Sequence, residues 1–205
     1  MAGQAQPPAC TVLGISTGGP PALARLLAEL RPPLPPLVIV QHMPRQFTGP
    51  LSARLNTLSP LAVREARHGD AIEPNLVLIA PGGRHLELVR RGESVRVRLS
   101  DGPPQSGHRP SIDVLFASAA AVFGPRCLGV IMTGMGRDGV RGCGAIRRAG
   151  GAVLAQDEAT SAVYGMNRAA VLAGHVDRQF ALDDAAEVLM AVAGDRRTAN
   201  LKSEI

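Results

Sequence analysis

Residues 10–20 read CTVLGISTGGP, and the fold follows from how this run ends. Residues 10–15 are short, apolar and partly β-branched, which predicts a strand buried on both faces. Ser16-Thr17-Gly18-Gly19 breaks the run, and Pro20 suits the first turn of a helix predicted to reach about Leu30. A buried strand that turns through glycines into a helix is the opening unit of a parallel α/β sheet.

The same pattern recurs outward from it. Residues 37–41 (LVIVQ) predict a second buried strand, followed by His42-Met43-Pro44, and 47–58 have helical apolar spacing. Strands are predicted at 61–66 and 75–80, and a hairpin at 86–89 and 95–99 around Arg90-Arg91-Gly92-Glu93. After a Gly/Pro-rich loop at 101–110, Ser111 is placed to cap a helix reaching Phe123, with Val114, Leu115, Ala119 and Val122 on its buried face. Residues 127–132 (CLGVIM) predict a buried strand that runs through 133–139 (TGMGRDG) into a helix ending near Ala149. A strand at 152–155 and short helices near 167–173 and 183–192 complete the pattern. The expected fold is α/β: a doubly wound, mostly parallel sheet with helices on both faces and a β-hairpin excursion. One domain is expected over 10–193, between tails at 1–9 and 194–205.

Composition narrows the function classes. Hydrophobic residues make up 45% of the 205 and mean hydropathy is +0.10, which excludes a mostly disordered chain. No apolar run approaches the roughly 20 residues of a membrane-spanning helix. The net charge is +5, and all the basic residues but Lys202 are Arg, scattered in runs no longer than two. Aromatics are confined to Phe47, Phe116, Phe123, Tyr164 and Phe180, so there are no stacking platforms for single-stranded nucleic acid. An acidic protein partner suits such a surface, and so does an Arg-rich coding bias with no partner meaning. Cys10, Cys127 and Cys143 form neither a pair pattern nor a metal spacing. They start strands or sit within a helix and read as packing residues. The first nine residues lack the basic and apolar regions of a signal peptide, so a reducing cytoplasm is expected.

Ligands and catalysts gather at the carboxyl ends of the strands in such a sheet. The first strand delivers Ser16, the second His42, and the strand before Gly134 delivers Asp138. These are the three parts of a serine hydrolase: a nucleophile, a base that takes its proton, and a carboxylate that fixes the base's tautomer. Gly18 and Gly19 would let backbone N–H groups approach an oxyanion. Plainer readings compete: Ser16 as a helix cap, His42 as a loop histidine, Asp138 as a first-turn carboxylate complementing its helix dipole. His68 and His175 lack strand-end placement, while His85 and His108 lie in loops that could line the site. A different class competes as well. Residues 134–139 (GMGRDG) are a literal G-x-G-x-x-G between strand and helix, with Asp157 and Glu158 at the distance of a ribose-binding acid. Against a dinucleotide, Asp138 would stand beside the pyrophosphate. Neither does the order Ser, His, Asp fit a generic α/β-hydrolase, although GISTGG resembles a nucleophile elbow.

Six blocks in order, 14–20 (GISTGGP), 41–44 (QHMP), 80–86 (APGGRHL), 109–116 (RPSIDVLF), 132–139 (MTGMGRDG) and 156–166 (QDEATSAVYGM), resemble the catalytic domain of the chemotaxis protein-glutamate methylesterases. The resemblance runs from about Thr11 to Leu189. It implies Ser16 as nucleophile, His42 as general base and acid, and Asp138 as orienting carboxylate. It also implies the Met135 N–H on the oxyanion, Thr17 in the pocket, and no cofactor or metal. The implied substrates are γ-glutamyl methyl esters on the cytoplasmic helices of chemoreceptors, with deamidation of receptor glutamines as a second reaction. A catalytically silent regulatory module on the same fold is the third reading, beside the esterase and the dinucleotide enzyme. The family usually carries an N-terminal phospho-receiver domain. Only about nine residues precede the first strand here, so no receiver domain is expected within this sequence: the chain reads either as a stand-alone enzyme or as a fragment, with a separate regulatory protein as one partner to consider. The family pattern also has Pro where this chain has Asn167.

Overall fold

The computed structural model describes residues 7–194. Strands β1 (Cys10–Ile15), β2 (Leu37–Gln41), β3 (Ala62–Glu65), β4 (Leu76–Ile79), β7 (Cys127–Ile131), β8 (Ala152–Gln156) and β9 (Arg178–Phe180) form one sheet in the order β3-β4-β2-β1-β7-β8-β9. Every pairing in it is parallel. The expected hairpin is present as β5 (His85–Arg91) and β6 (Ser94–Ser100).

The continuous apolar runs are explained by burial on both sides. Along β1, Val12 packs into one core cluster with Val38 and Val40, while Leu13 and Ile15 pack into the other with Leu37 and Ile39. Helices α1 (Gly19–Glu29), α2 (Arg45–Leu58) and α6 (Ala185–Gly194) cover the second face. Helices α3 (Ile112–Phe123), α4 (Val140–Arg148) and α5 (Met166–Leu172) cover the first, together with the hairpin. Fully burying a side chain such as Phe116 or Leu23 contributes about 1.5–3 kcal/mol. From β1 the chain moves to β2, then out to β3 at the edge and back to β4 between them, before it crosses over to lay β7 on the other flank of β1. That reversal opens a crevice at the carboxyl ends of β1 and β7.

Several expectations are corrected. Helix α2 starts two residues early, at Arg45, so Pro50 lies in its second turn, on the exposed side where solvent can serve the carbonyl it leaves unpaired. The buried face of α3 is Ile112, Asp113, Leu115, Phe116, Ala119 and Ala120, with Val114 and Val122 only half-buried, because α4 and the hairpin pack on it together. Ser111 stands at the N-cap of α3 but makes no capping bond. Strand β9 was not expected: three residues, two of them exposed and polar, give no periodicity to read. A 3-10 turn over Leu182–Asp184 precedes α6, which starts at Ala185. Of the expected tails, 1–6 and 195–205 lie outside the described residues; Ala9 N–H bonds Arg126 O at 2.9 Å.

Candidate active site

Register brings the strand-end residues together. Ile15 pairs with Gln41 and Gly14 with Ile131, so Ser16, His42 and the 132–139 loop leave the sheet side by side. The His42 N–H donates to Ile15 O (3.1 Å) and the Ser16 N–H to Thr133 O (2.9 Å). Ser16 is not the cap of α1. Gly18 holds that position with φ 81°, a left-handed conformation that glycine adopts without strain, and the Gly19 N–H closes the turn on Ser16 O at 2.8 Å. Gly134 passes so close that a Cβ there would fall 2.7 Å from Ser16 Cβ.

Asp138 is 1% exposed, and its carboxylate is surrounded by donors. Oδ2 accepts from the Ile112 N–H (2.7 Å) and lies 2.8 Å from His42 Nε2. Oδ1 accepts from the Ser111 hydroxyl (2.8 Å), the Asp113 N–H (3.2 Å) and the Gly139 N–H (3.1 Å). Burial alone would raise its pKa. The bonds from His42, the Ile112 amide, Ser111 and the Asp113 amide outweigh burial and hold it below the usual carboxylate range. The Ile112 and Asp113 amides open α3, so Asp138 chiefly serves the N-terminus of α3 rather than that of its own helix, α4. With a charged carboxylate at Nε2, the His42 tautomer that fits carries its proton there. Nδ1 is then the basic nitrogen; it is buried and has no partner among the described residues.

Of the expected pocket residues, Gly19 closes the turn, its N–H donating to Ser16 O. The N–H groups of Thr17, Gly18 and Met135 enter none of the described bonds, and Thr17 and Met135 are exposed at the crevice.

The remaining histidines separate. His68 Nδ1 accepts from the Leu99 N–H (3.3 Å) and His175 packs against Gly144, contacts that involve none of Ser16, His42 and Asp138. His85 is buried: Nδ1 accepts from the Ser111 N–H (3.2 Å) and Nε2 lies 3.0 Å from Pro103 O, so it anchors the loop behind Asp138. His108 does reach the site, where its ring stacks on that of His42. A cavity of about 410 Å³ opens beside the pair, with Arg45 and Arg109 in its wall. The three cysteines are buried, in line with the packing role expected of them.

Sequence reading missed the residues that brace this site. The Gln41 side-chain amide donates to Ser16 O (3.1 Å) and to His42 O (3.0 Å). Thr133 Oγ1 donates to Thr17 O (2.9 Å) and accepts the Val163 N–H (2.9 Å), while Gln156 Oε1 accepts the Thr133 N–H (3.0 Å). Gln41 and Gln156 are each the one amide closing a buried apolar strand, and that signal was legible. Asn167 is also buried and donates to Gln156 O (2.9 Å) and Ser161 Oγ (2.8 Å), two bonds that proline could not make.

The GMGRDG loop is occupied by the protein itself. The Gly139 N–H serves Asp138, the Val140 N–H bonds Arg137 O (3.2 Å), and the Gly142 N–H bonds Asp113 Oδ1 (2.8 Å). These amides at the start of α4 are the ones a pyrophosphate would need.

Comparison with known proteins places the chain in a family. The CheB methylesterase family model matches residues 11–189. A protein-glutamate methylesterase/protein-glutamine glutaminase of Moorella thermoacetica is 52% identical over 88% of this chain and 43% of its own length. One from Anaeromyxobacter dehalogenans is 55% identical over 84% of this chain and 50% of its own. The chain thus spans about half the length of these curated relatives. The crystal structure of the Thermotoga maritima CheB methylesterase catalytic domain superposes with a TM-score of 0.88 at 35% identity, over 90% of this chain and 98% of that one. The chain belongs to the CheB methylesterase family.

Proposed function

We propose that the protein hydrolyses γ-glutamyl methyl esters on chemoreceptor helices, in the cytoplasm, through Ser16, His42 and Asp138. The observation that carries this reading is the charged, five-donor Asp138 carboxylate bonded to His42 Nε2, which leaves the unpartnered Nδ1 as the base. His42 Nδ1 takes the Ser16 proton as Oγ attacks the ester carbonyl. The oxyanion forms against the uncommitted N–H groups of Thr17, Gly18 and Met135. The imidazolium then protonates departing methanol, and water, activated by the same base, releases glutamate from the acyl-enzyme. Ammonia in place of methanol gives the glutaminase reaction that the relatives' names include.

An organophosphonate serine probe tests the nucleophile without any receptor. Labelling of wild type, absent in Ser16→Ala and slowed by about 10⁴-fold in His42→Ala, is expected. Equal labelling of wild type and Ser16→Ala would overturn the reading.

A further inference from the structure

His42 has one side-chain hydrogen bond among the described residues, from Nε2 to Asp138. A single bond fixes one end of an imidazole but leaves the ring free to tilt about that axis, and a tilted ring would not hold Nδ1 in the one orientation that the esterase reading needs. Something else must set the plane. His108 lies face to face with it: the ring centroids are 3.8 Å apart and the planes differ by 4°.

His108 is held firmly enough to do this. It closes a two-residue turn with Gln105, its N–H bonding Gln105 O (2.9 Å) and its O accepting the Gln105 N–H (3.0 Å). The turn residues Ser106 and Gly107 both have positive φ, 53° and 81°, the geometry of a type I′ turn. The Arg141 side chain ties Ser106 Oγ and Asp113 to α4, and Arg109 clamps the far side of the loop on Asp101 O and Gly102 O, both at 3.0 Å.

Resting on the esterase reading above, we propose that His108 is a positioning residue for the general base: its neutral ring fixes the plane of His42, shields one face from water, and gives the imidazolium formed during proton transfer an aromatic face to lie against. The charged groups around the pair fit a neutral His108. Burial and the positive charge that His42 carries in turn both lower its pKa, and Asp138 opposes them less strongly. Arg45 and Arg109 in the cavity wall add positive charge on the open side. A second proton on this stack is therefore disfavoured just when His42 holds one.

The test compares His108→Ala with His108→Phe, which keeps an aromatic plane and cannot titrate. Expected is a kcat for ester hydrolysis lowered about 10- to 100-fold in His108→Ala with KM within about twofold, and recovered to within about threefold of wild type in His108→Phe. The His42 ring protons, followed by NMR, should lose an upfield ring-current shift in the Ala variant and regain it in the Phe variant, a readout that needs no turnover. Wild-type kcat in His108→Ala would overturn the inference. So would a Phe variant as slow as the Ala variant, because His108 would then act through its nitrogens. Loss of turnover in wild type itself would instead strike the esterase reading, and the NMR comparison would still decide the stack.

Discussion

Ser111 Oγ donates to Asp138 Oδ1 at 2.8 Å instead of capping the helix that Ser111 begins. A residue type favoured for capping is used to hold the carboxylate of the neighbouring loop. Asp138 keeps its bonds from Ile112, Asp113 and Gly139 without it. Ser111→Ala should therefore lower stability by about 1.5–3 kcal/mol in urea unfolding, the range for a bond to a charged group. Its kcat should fall by about tenfold. A loss as deep as that of Asp138→Asn would mean that the hydroxyl, not the backbone amides, keeps the carboxylate in place.

Gln41 links Ser16 to His42 through their carbonyls. Gln41→Leu keeps the volume and removes both bonds. Ser16 O retains the Gly19 N–H, whereas His42 O loses its described partner. The variant should unfold about 1–3 kcal/mol more easily, and kcat should fall while KM for the ester changes little. A raised KM at wild-type kcat would show that Gln41 shapes binding and not the alignment of Ser16 with His42.

Acid should weaken the fold through the same site. Asp138 has a lowered pKa in the folded protein, so its contribution is complete above the unfolded carboxylate pKa of about 4 and is lost as pH falls through the folded value. His108 is also lowered, so the folded state resists its protonation: that contribution is complete above about 6.5 and fades as pH falls through the folded value. Both have the same sign. Urea midpoints should decline as pH falls from 7, first through His108, and decline further below pH 4 through Asp138, and His108→Phe should flatten the upper part only. A midpoint that rises with acid would contradict the assignment.

The cysteines should be silent in the native protein. Burial drives the Cys127 thiol up to about 12, burial and then Asp113 raise Cys143, and burial and then the neighbouring Cys127 raise Cys10 well above its usual value. An aromatic disulfide reagent at pH 8 should find no reactive thiol until denaturant is added, and then three. Rapid native labelling would mean that the central β1–β7 pair or the α4 face opens to solvent.

The sheet was legible because its central strands are short apolar runs ending in glycine or polar turns, as at Ile15–Ser16 and Gln41–His42. Ser16, His42 and Asp138 were legible for the same reason, since a strand end is a place in the fold as well as in the sequence. The support around them was not. Ser111 bonds Asp138, and His85 bonds Ser111, across distant parts of the chain, and only the packing of α3 against the 133–139 loop and the hairpin brings them together. His108 is placed by a turn whose Ser106 has positive φ, which no local preference announces. Gln41 and Gln156 end apolar strands, a signal that was passed over, and their partners are set by register. The GMGRDG loop misled by pattern because its amides are spent on Asp138 and Asp113, a matter of tertiary contact.

The most direct measurement is methanol release from methyl-labelled chemoreceptor membranes by wild type and by Ser16→Ala. The account predicts release by wild type and, in Ser16→Ala, a rate lower by about 10⁴-fold or more. Release by Ser16→Ala at the wild-type rate would contradict it.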